Sequence, residues 1–219
     1  MSGASVHVLV LPGGSYAMHA ERSSEPIVEW LASAGVAASV FRYPVLTRHP
    51  APLLAIREAI RETRSTGVAT VGVMGFSAGG HAAGLAAYAP DGERDEVPDF
   101  VALAYPPVSM ELGTHGASRV NLLGEDADPA LRAATSLDRL VAPEAPPTFL
   151  WHTGGDTVVP VEHAYLLASA LARAGVPHET HIFERGNHAL GLARDAGTAS
   201  AWTALCLSWM QSHGWAPRS

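Results

Sequence analysis

Ala69-Thr70-Val71-Gly72-Val73-Met74-Gly75-Phe76-Ser77-Ala78-Gly79-Gly80-His81 is an apolar run that breaks on glycine and resumes as an Ala/Gly-rich helical stretch. Gly75 to Gly79 form a G-x-S-x-G sequence, the pattern of a strand turning sharply into a helix with an exposed serine at the apex. Such a turn holds its apex residue in a strained conformation, and glycines two positions to either side leave room for the close approach. Ser77 then projects at the carboxyl end of the strand, with the positive end of the helix behind it. An ordinary turn or a phosphate-cradling loop has a similar composition, but a P-loop needs a lysine where this chain has His81.

The strand candidates are Val6 to Leu11, Val36 to Arg42, Ala69 to Met74, Phe100 to Tyr105, Thr148 to His152 and His178 to Phe183. The last is polar enough for an edge. Helical periods lie between them: Ile27, Trp30, Leu31 and Ala34; Leu53, Ile56 and Ile60; Val161, Ala164, Tyr165, Ala168 and Leu171. Pro52, Pro129 and Pro160 stand where helices begin, and Gly35, Gly67 and Gly175 where they end. The alternation predicts an α/β fold: a mainly parallel sheet of about six strands, helices on both faces, right-handed crossovers and one domain over residues 1–219. Residues 106–147 break the rhythm with six prolines and one short helical candidate, Pro129 to Ala134. They are expected to form a pocket wall in place of a full lid domain. A disordered insertion is the alternative, against which Val120, Leu122, Leu123 and Leu131 offer something to bury.

Charge and composition exclude several classes. With a net charge of -7 and scattered Lys and Arg, the chain lacks the footprint of a nucleic-acid binder. No apolar run is long enough to span a bilayer, and the start shows no basic region followed by a separate apolar segment, so a cytoplasmic address is expected. Cys206 is the single cysteine, which leaves no internal disulfide and no cysteine-based metal cluster. It falls on the apolar face of a helical pattern with Trp202, Leu205, Trp209 and Met210, and reads as a packing residue.

A serine hydroxyl needs an adjacent base that is itself held by a third group. In strand order the acid precedes the histidine. Asp156 follows the strand Thr148 to His152, and His188 follows the strand His178 to Phe183, so both stand at carboxyl ends where open α/β sheets bind ligands. Asp126 and Asp128 are rival acids inside the loop-rich segment. The glycine turn from Leu11 to Tyr16 ends the first strand and offers backbone N–H groups for an oxyanion, together with the amide of Ala78.

Pro12-Gly13-Gly14-Ser15-Tyr16, Gly75 to His81, Asp156-Thr157-Val158-Val159-Pro160 and Gly186-Asn187-His188-Ala189 together resemble the acetyl xylan esterase-like branch of the α/β-hydrolases, over nearly the whole chain. The resemblance implies Ser77, Asp156 and His188 as catalytic triad and the amides of Gly14, Ser15 and Ala78 as oxyanion hole. It implies small acyl esters, often acetyl groups on sugars, as substrates, and neither metal nor organic cofactor. Related esterases often carry His-Gly-Gly-Gly where this chain has Pro12-Gly13-Gly14-Ser15, so the third donor bears a side chain. The chain also starts at the family's third strand, so a sheet about two strands short is expected, its first edge covered in a homodimer.

With residues 106–147 and the substrate-binding region around Tyr16 as walls, short acyl chains are expected. An amide hydrolase such as a formamidase or small peptidase uses the same triad. A non-catalytic binding module or an oligomeric scaffold is the reading from another class, and it gives no physical reason to keep all three groups intact.

Overall fold

The computed structural model describes residues 5–112 and 116–218. Residues 1–4, on which part of the address reading falls, and 113–115 of the loop-rich segment lie outside the described residues, as does Ser219. Six parallel strands make one sheet: β1 (Val6–Leu11), β2 (Ala37–Val40), β3 (Thr70–Phe76), β4 (Phe100–Ala104), β5 (Thr148–Thr153) and β6 (His178–Phe183), in the order β2-β1-β3-β4-β5-β6. The central strands are buried on both faces, which is why their sequences run as unbroken apolar stretches. β6 is half-exposed along its length, as expected of an edge. β2 is shorter than its apolar run, because only four residues pair with β1 before the chain leaves the edge.

The helices are α1 (Glu25–Ser33), α2 (Ala51–Ser65), α3 (Ala78–Tyr88), α4 (Gly116–Leu123), α5 (Pro129–Ala134), α6 (Leu137–Leu140), α7 (Glu162–Ala174) and α8 (Trp202–Ser212). Alternate strand residues feed two cores. Leu9, Leu11, Val71, Val73, Leu103 and Leu150 pack with Ile56 of α2, Ala82 of α3 and Leu167 of α7. Val8, Val10, Met74, Phe100, Phe149 and Trp151 pack on the other face with Leu31 of α1 and with Trp202 and Cys206 of α8. Trp151 stacks on Trp202 with ring centroids 5.1 Å apart, one of several aromatic pairs on that face, each worth about 0.5–1.5 kcal/mol beyond the area it buries. Cys206 is fully buried there. On α7 the inward face is His163, Ala164, Leu167 and Leu171, whereas Tyr165 is exposed.

Every residue of α3 is buried. Its Ala/Gly composition lets the backbone lie directly against the sheet, with Leu137 of α6 filling the space over Gly84. Residues 106–147 are more ordered than their composition implies: three short helices, not one, occupy the described part. Tertiary bonds hold them, including His49 N–H to the Leu122 carbonyl and Leu137 N–H to the Val108 carbonyl, both 2.9 Å.

The strand order reverses direction between β1 and β3. In an open α/β sheet a crevice forms outside the carboxyl ends at such a point. β1 and β3 run in register from Val6 opposite Thr70 to Leu11 opposite Gly75, so both chains leave the sheet at one level.

Candidate active site

Immediately beyond Gly75 the backbone makes its sharp turn. Ser77 has φ 52° and ψ -120°, a left-handed conformation that costs a β-carbon-bearing residue roughly 1–3 kcal/mol. The turn is held from both sides: Ser77 N–H donates to the Ala104 carbonyl of β4 (2.9 Å), and the Ser77 carbonyl accepts from His81 N–H (3.0 Å). Glycine is required at position 79, where a β-carbon would stand 2.2 Å from the Leu11 carbonyl oxygen.

The Ser77 hydroxyl lies 2.7 Å from His188 Nε2, and His188 Nδ1 lies 2.6 Å from Asp156 Oδ2. A carboxylate only accepts, so Nδ1 carries the proton and Nε2 is left to accept the serine hydroxyl. The three side chains that the sequence pointed to are thus in one hydrogen-bonded line at the carboxyl ends of β3, β5 and β6. His188 sits on a loop fastened at Gly191, whose N–H donates to the Tyr105 hydroxyl (3.1 Å) and whose carbonyl accepts from Trp202 Nε1 (3.1 Å). Tyr105 also presents its ring edge-on to the imidazole, centroids 5.0 Å apart.

Asp156 is 7% exposed. Burial alone raises a carboxyl pKa, but hydrogen bonding to His152, His188 and the Val159 amide outweighs it and holds Asp156 well below the usual carboxylate range. Its Oδ1 accepts the N–H groups of Val158 and Val159, both at 2.9 Å, which folds the loop after β5 around the acid. The rival Asp128 instead caps α5 by accepting from Ala130 N–H.

The loop after β1 contains consecutive positive φ values at Gly14 (130°), Ser15 (56°) and Tyr16 (60°). The Gly14 carbonyl accepts from Ala17 and Met18 N–H, while Gly13 N–H donates to Ser23 Oγ. Ala78 opens α3 directly after the serine. Gly14, Ser15, Ser77 and His188 line an open cleft of about 500 Å³. Its lining includes the apolar Met18, Tyr105, Val158 and Ala189 and the polar His19, Glu21 and Arg22.

Two expectations about the walls are corrected. Tyr16 is 0% exposed and turns its side chain into the core, where its hydroxyl meets His81 Nδ1 at 2.6 Å; it does not face the cleft. Met18, two residues on, takes that place on the wall and is 61% exposed. Among the described residues, none from 106–147 lines the cleft either; Asn121 of that segment instead donates its side-chain amide to the Ser15 carbonyl (2.9 Å). Tyr105, read in the sequence only as the last residue of a strand candidate, stands just past the end of β4 as Ser77 stands past β3, and that placement was the signal available for it.

A family model described as the prolyl oligopeptidase family (Peptidase_S9) matches residues 52–214. The chain is 34% identical over 209 residues to endo-1,4-beta-xylanase B of Butyrivibrio fibrisolvens, covering 86% of this chain and 33% of that protein. It is 30% identical over 199 residues to an acetylxylan esterase of Xylanibacter ruminicola, covering 84% of this chain and 41% of that protein. The match therefore spans less than half the length of these two relatives. The crystal structure of an acetyl ester-xyloside bifunctional hydrolase from Caldicellulosiruptor lactoaceticus superposes with a TM-score of 0.91 at 41% identity, covering 98% of this chain and 85% of that one. The chain belongs to the prolyl oligopeptidase family of α/β-hydrolases, on its acetyl xylan esterase-like branch.

Proposed function

We propose that this chain is a serine esterase that hydrolyses short acyl esters, acetylated sugars among them. The observation that carries the proposal is the unbroken line from Ser77 through His188 to Asp156, with bonds of 2.7 and 2.6 Å. Ser77 attacks the ester carbonyl as His188 Nε2 takes its proton, and the ionised Asp156 stabilises the imidazolium that forms. The oxyanion of the tetrahedral intermediate is received by the amides of Ala78, Ser15 and Gly14. His188 then protonates the departing alcohol, and a water activated by the same nitrogen releases the acid from Ser77.

The acyl-chain preference is argued from a cleft of about 500 Å³ with no lid helix among its lining residues. The acetylated-sugar proposal rests on what the two esterase relatives are named for. Ser77→Ala is expected to lower kcat on p-nitrophenyl acetate by at least ~10³-fold without loss of folding. Turnover at the wild-type rate by that purified variant would remove the assignment, and rates rising from acetyl to octanoyl esters would remove the chain-length preference.

The family description also favours a second reading, hydrolysis of an amide by the same three residues. A panel pairing p-nitrophenyl acetate with aminoacyl p-nitroanilides separates the two.

A further inference from the structure

The donors assigned to the oxyanion come from two elements, Ser15 from the loop after β1 and Ala78 from the head of α3. The β1–β3 pairing stops at Leu11 and Gly75, short of both. Ser15 and Tyr16 occupy consecutive left-handed conformations that residues with a β-carbon leave readily unless held. What holds them is therefore part of the catalytic geometry.

Tyr16 runs inward from this strained pair, and its hydroxyl lies 2.6 Å from Nδ1 of His81 on α3, four positions after the nucleophile. His81 Nε2 lies 2.8 Å from the Thr135 carbonyl. A carbonyl only accepts, so Nε2 carries the proton and Nδ1 accepts the phenol. Both side chains are 0% exposed. Burial lowers His81 to about 4 and raises Tyr16 well above its ordinary value, so neither group changes charge near neutral pH. The Tyr16 ring packs edge-on against Tyr43, whose own hydroxyl donates to the Pro12 carbonyl (2.8 Å) at the root of the same loop.

We propose that the buried Tyr16–His81 hydrogen bond is a strut that fixes the loop of Ser15 to the helix of Ala78 and so sets the spacing of the oxyanion donors. Tyr16 and His81 are positioning residues, acting through backbone amides and touching no substrate. The inference rests on the esterase reading above. Donors aimed at the position of the developing oxyanion matter more in the transition state than for the bound ester, so a loosened strut lowers kcat and leaves KM nearly unchanged.

Tyr16→Phe and His81→Leu break the bond from opposite ends, and either one that folds gives the test. With p-nitrophenyl acetate, each is expected to lose on the order of tenfold in kcat, part of the ~10²–10³-fold that removing a whole donor costs, with KM within about twofold. The double variant is expected to be no slower than the slower single one, since the bond is lost only once. His81→Asn, which offers an amide oxygen near the position of Nδ1, is expected to recover most of the rate lost in His81→Leu. A lowered melting temperature with kcat unchanged in the folded variants, or losses that multiply in the double variant, would overturn the strut. Ser77→Ala run alongside separates the two levels: full activity there removes the esterase reading itself, whereas an inactive Ser77→Ala beside a fully active Tyr16→Phe removes only the strut.

Discussion

His152 Nε2 lies 2.9 Å from the Val159 carbonyl and 3.4 Å from Asp156 Oδ2, so a second imidazole stands beside the carboxylate that orients His188. Its proton must be on Nε2, because the Val159 carbonyl can only accept. Nδ1 is buried and has no hydrogen-bond partner among the described residues. His152→Phe keeps the ring volume but removes the N–H. It is expected to lower kcat on the order of tenfold, about 1.4 kcal/mol of transition-state stabilisation, and His152→Gln, with an amide N–H at similar reach, is expected to recover part of it. Steady-state kinetics on the three proteins check this.

Replacing Asp156 by Asn leaves the shape of the site and removes the charge. The imidazolium loses its counter-ion and His188 can adopt the wrong tautomer, so kcat is expected to fall by about 10³–10⁴-fold. A pH–rate profile together with circular dichroism distinguishes this from unfolding.

Stability is expected to fall with acidification in a defined window because His81 is buried neutral. The unfolded histidine takes up a proton near its ordinary value of 6.5, while the folded one resists until about 4. The unfolded state thus binds more protons across that interval, and stability present above pH 6.5 is lost as the pH falls toward 4, by about 3 kcal/mol in all. Asp156 acts in the same direction at lower pH, since its depressed pKa favours the fold above the usual carboxylate range and that contribution is lost as the pH falls through the folded value. Thermal melts between pH 7 and 4 should show the first slope in the wild type and a shallower one in His81→Asn.

A methyl group at position 79 is expected to be among the most damaging small changes in the chain. The β-carbon of Gly79→Ala would stand 2.2 Å from the Leu11 carbonyl oxygen and 2.4 Å from that of Pro12, both backbone atoms with no freedom to withdraw. Loss of roughly 2–4 kcal/mol or of soluble protein is expected, whereas Gly67→Ala, with nothing within 4 Å, meets only the strain of its φ of 92°. Chemical denaturation of both variants gives the comparison.

The sheet was legible in the sequence because its inner strands, buried on both faces, leave continuous apolar runs, and the edge strands β2 and β6 fall within the more polar stretches 36–42 and 178–183 that alternate with the helical periods. Ser77, Asp156 and His188 could be picked out for the same reason: each follows a strand end, and strand ends are visible. The helices α4 and α6 were not, since eight and four residues are too few to establish a period and their order comes from partners such as His49 and Val108. Tyr16 was placed on the wrong side of its loop because a side chain's direction there depends on consecutive positive φ values, which no spacing of residue types reveals. His81 drew notice only as the absence of a P-loop lysine. Its bond to Tyr16 joins residues 65 apart in the chain, a relation local pattern does not carry.

The in-register pairing of Leu11 with Gly75 works as a ruler. The turn at Ser77 and the loop after β1 both depart from the same rung, so a slip of one strand past the other would shift their starting points by whole residues of about 3.3 Å. The stretch from Met18 to Ser23 lies downstream of that fixed origin and lines the cleft. An exposed position such as Met18 can therefore vary without moving that origin, whereas Ser23, whose hydroxyl accepts Gly13 N–H, is tied to it.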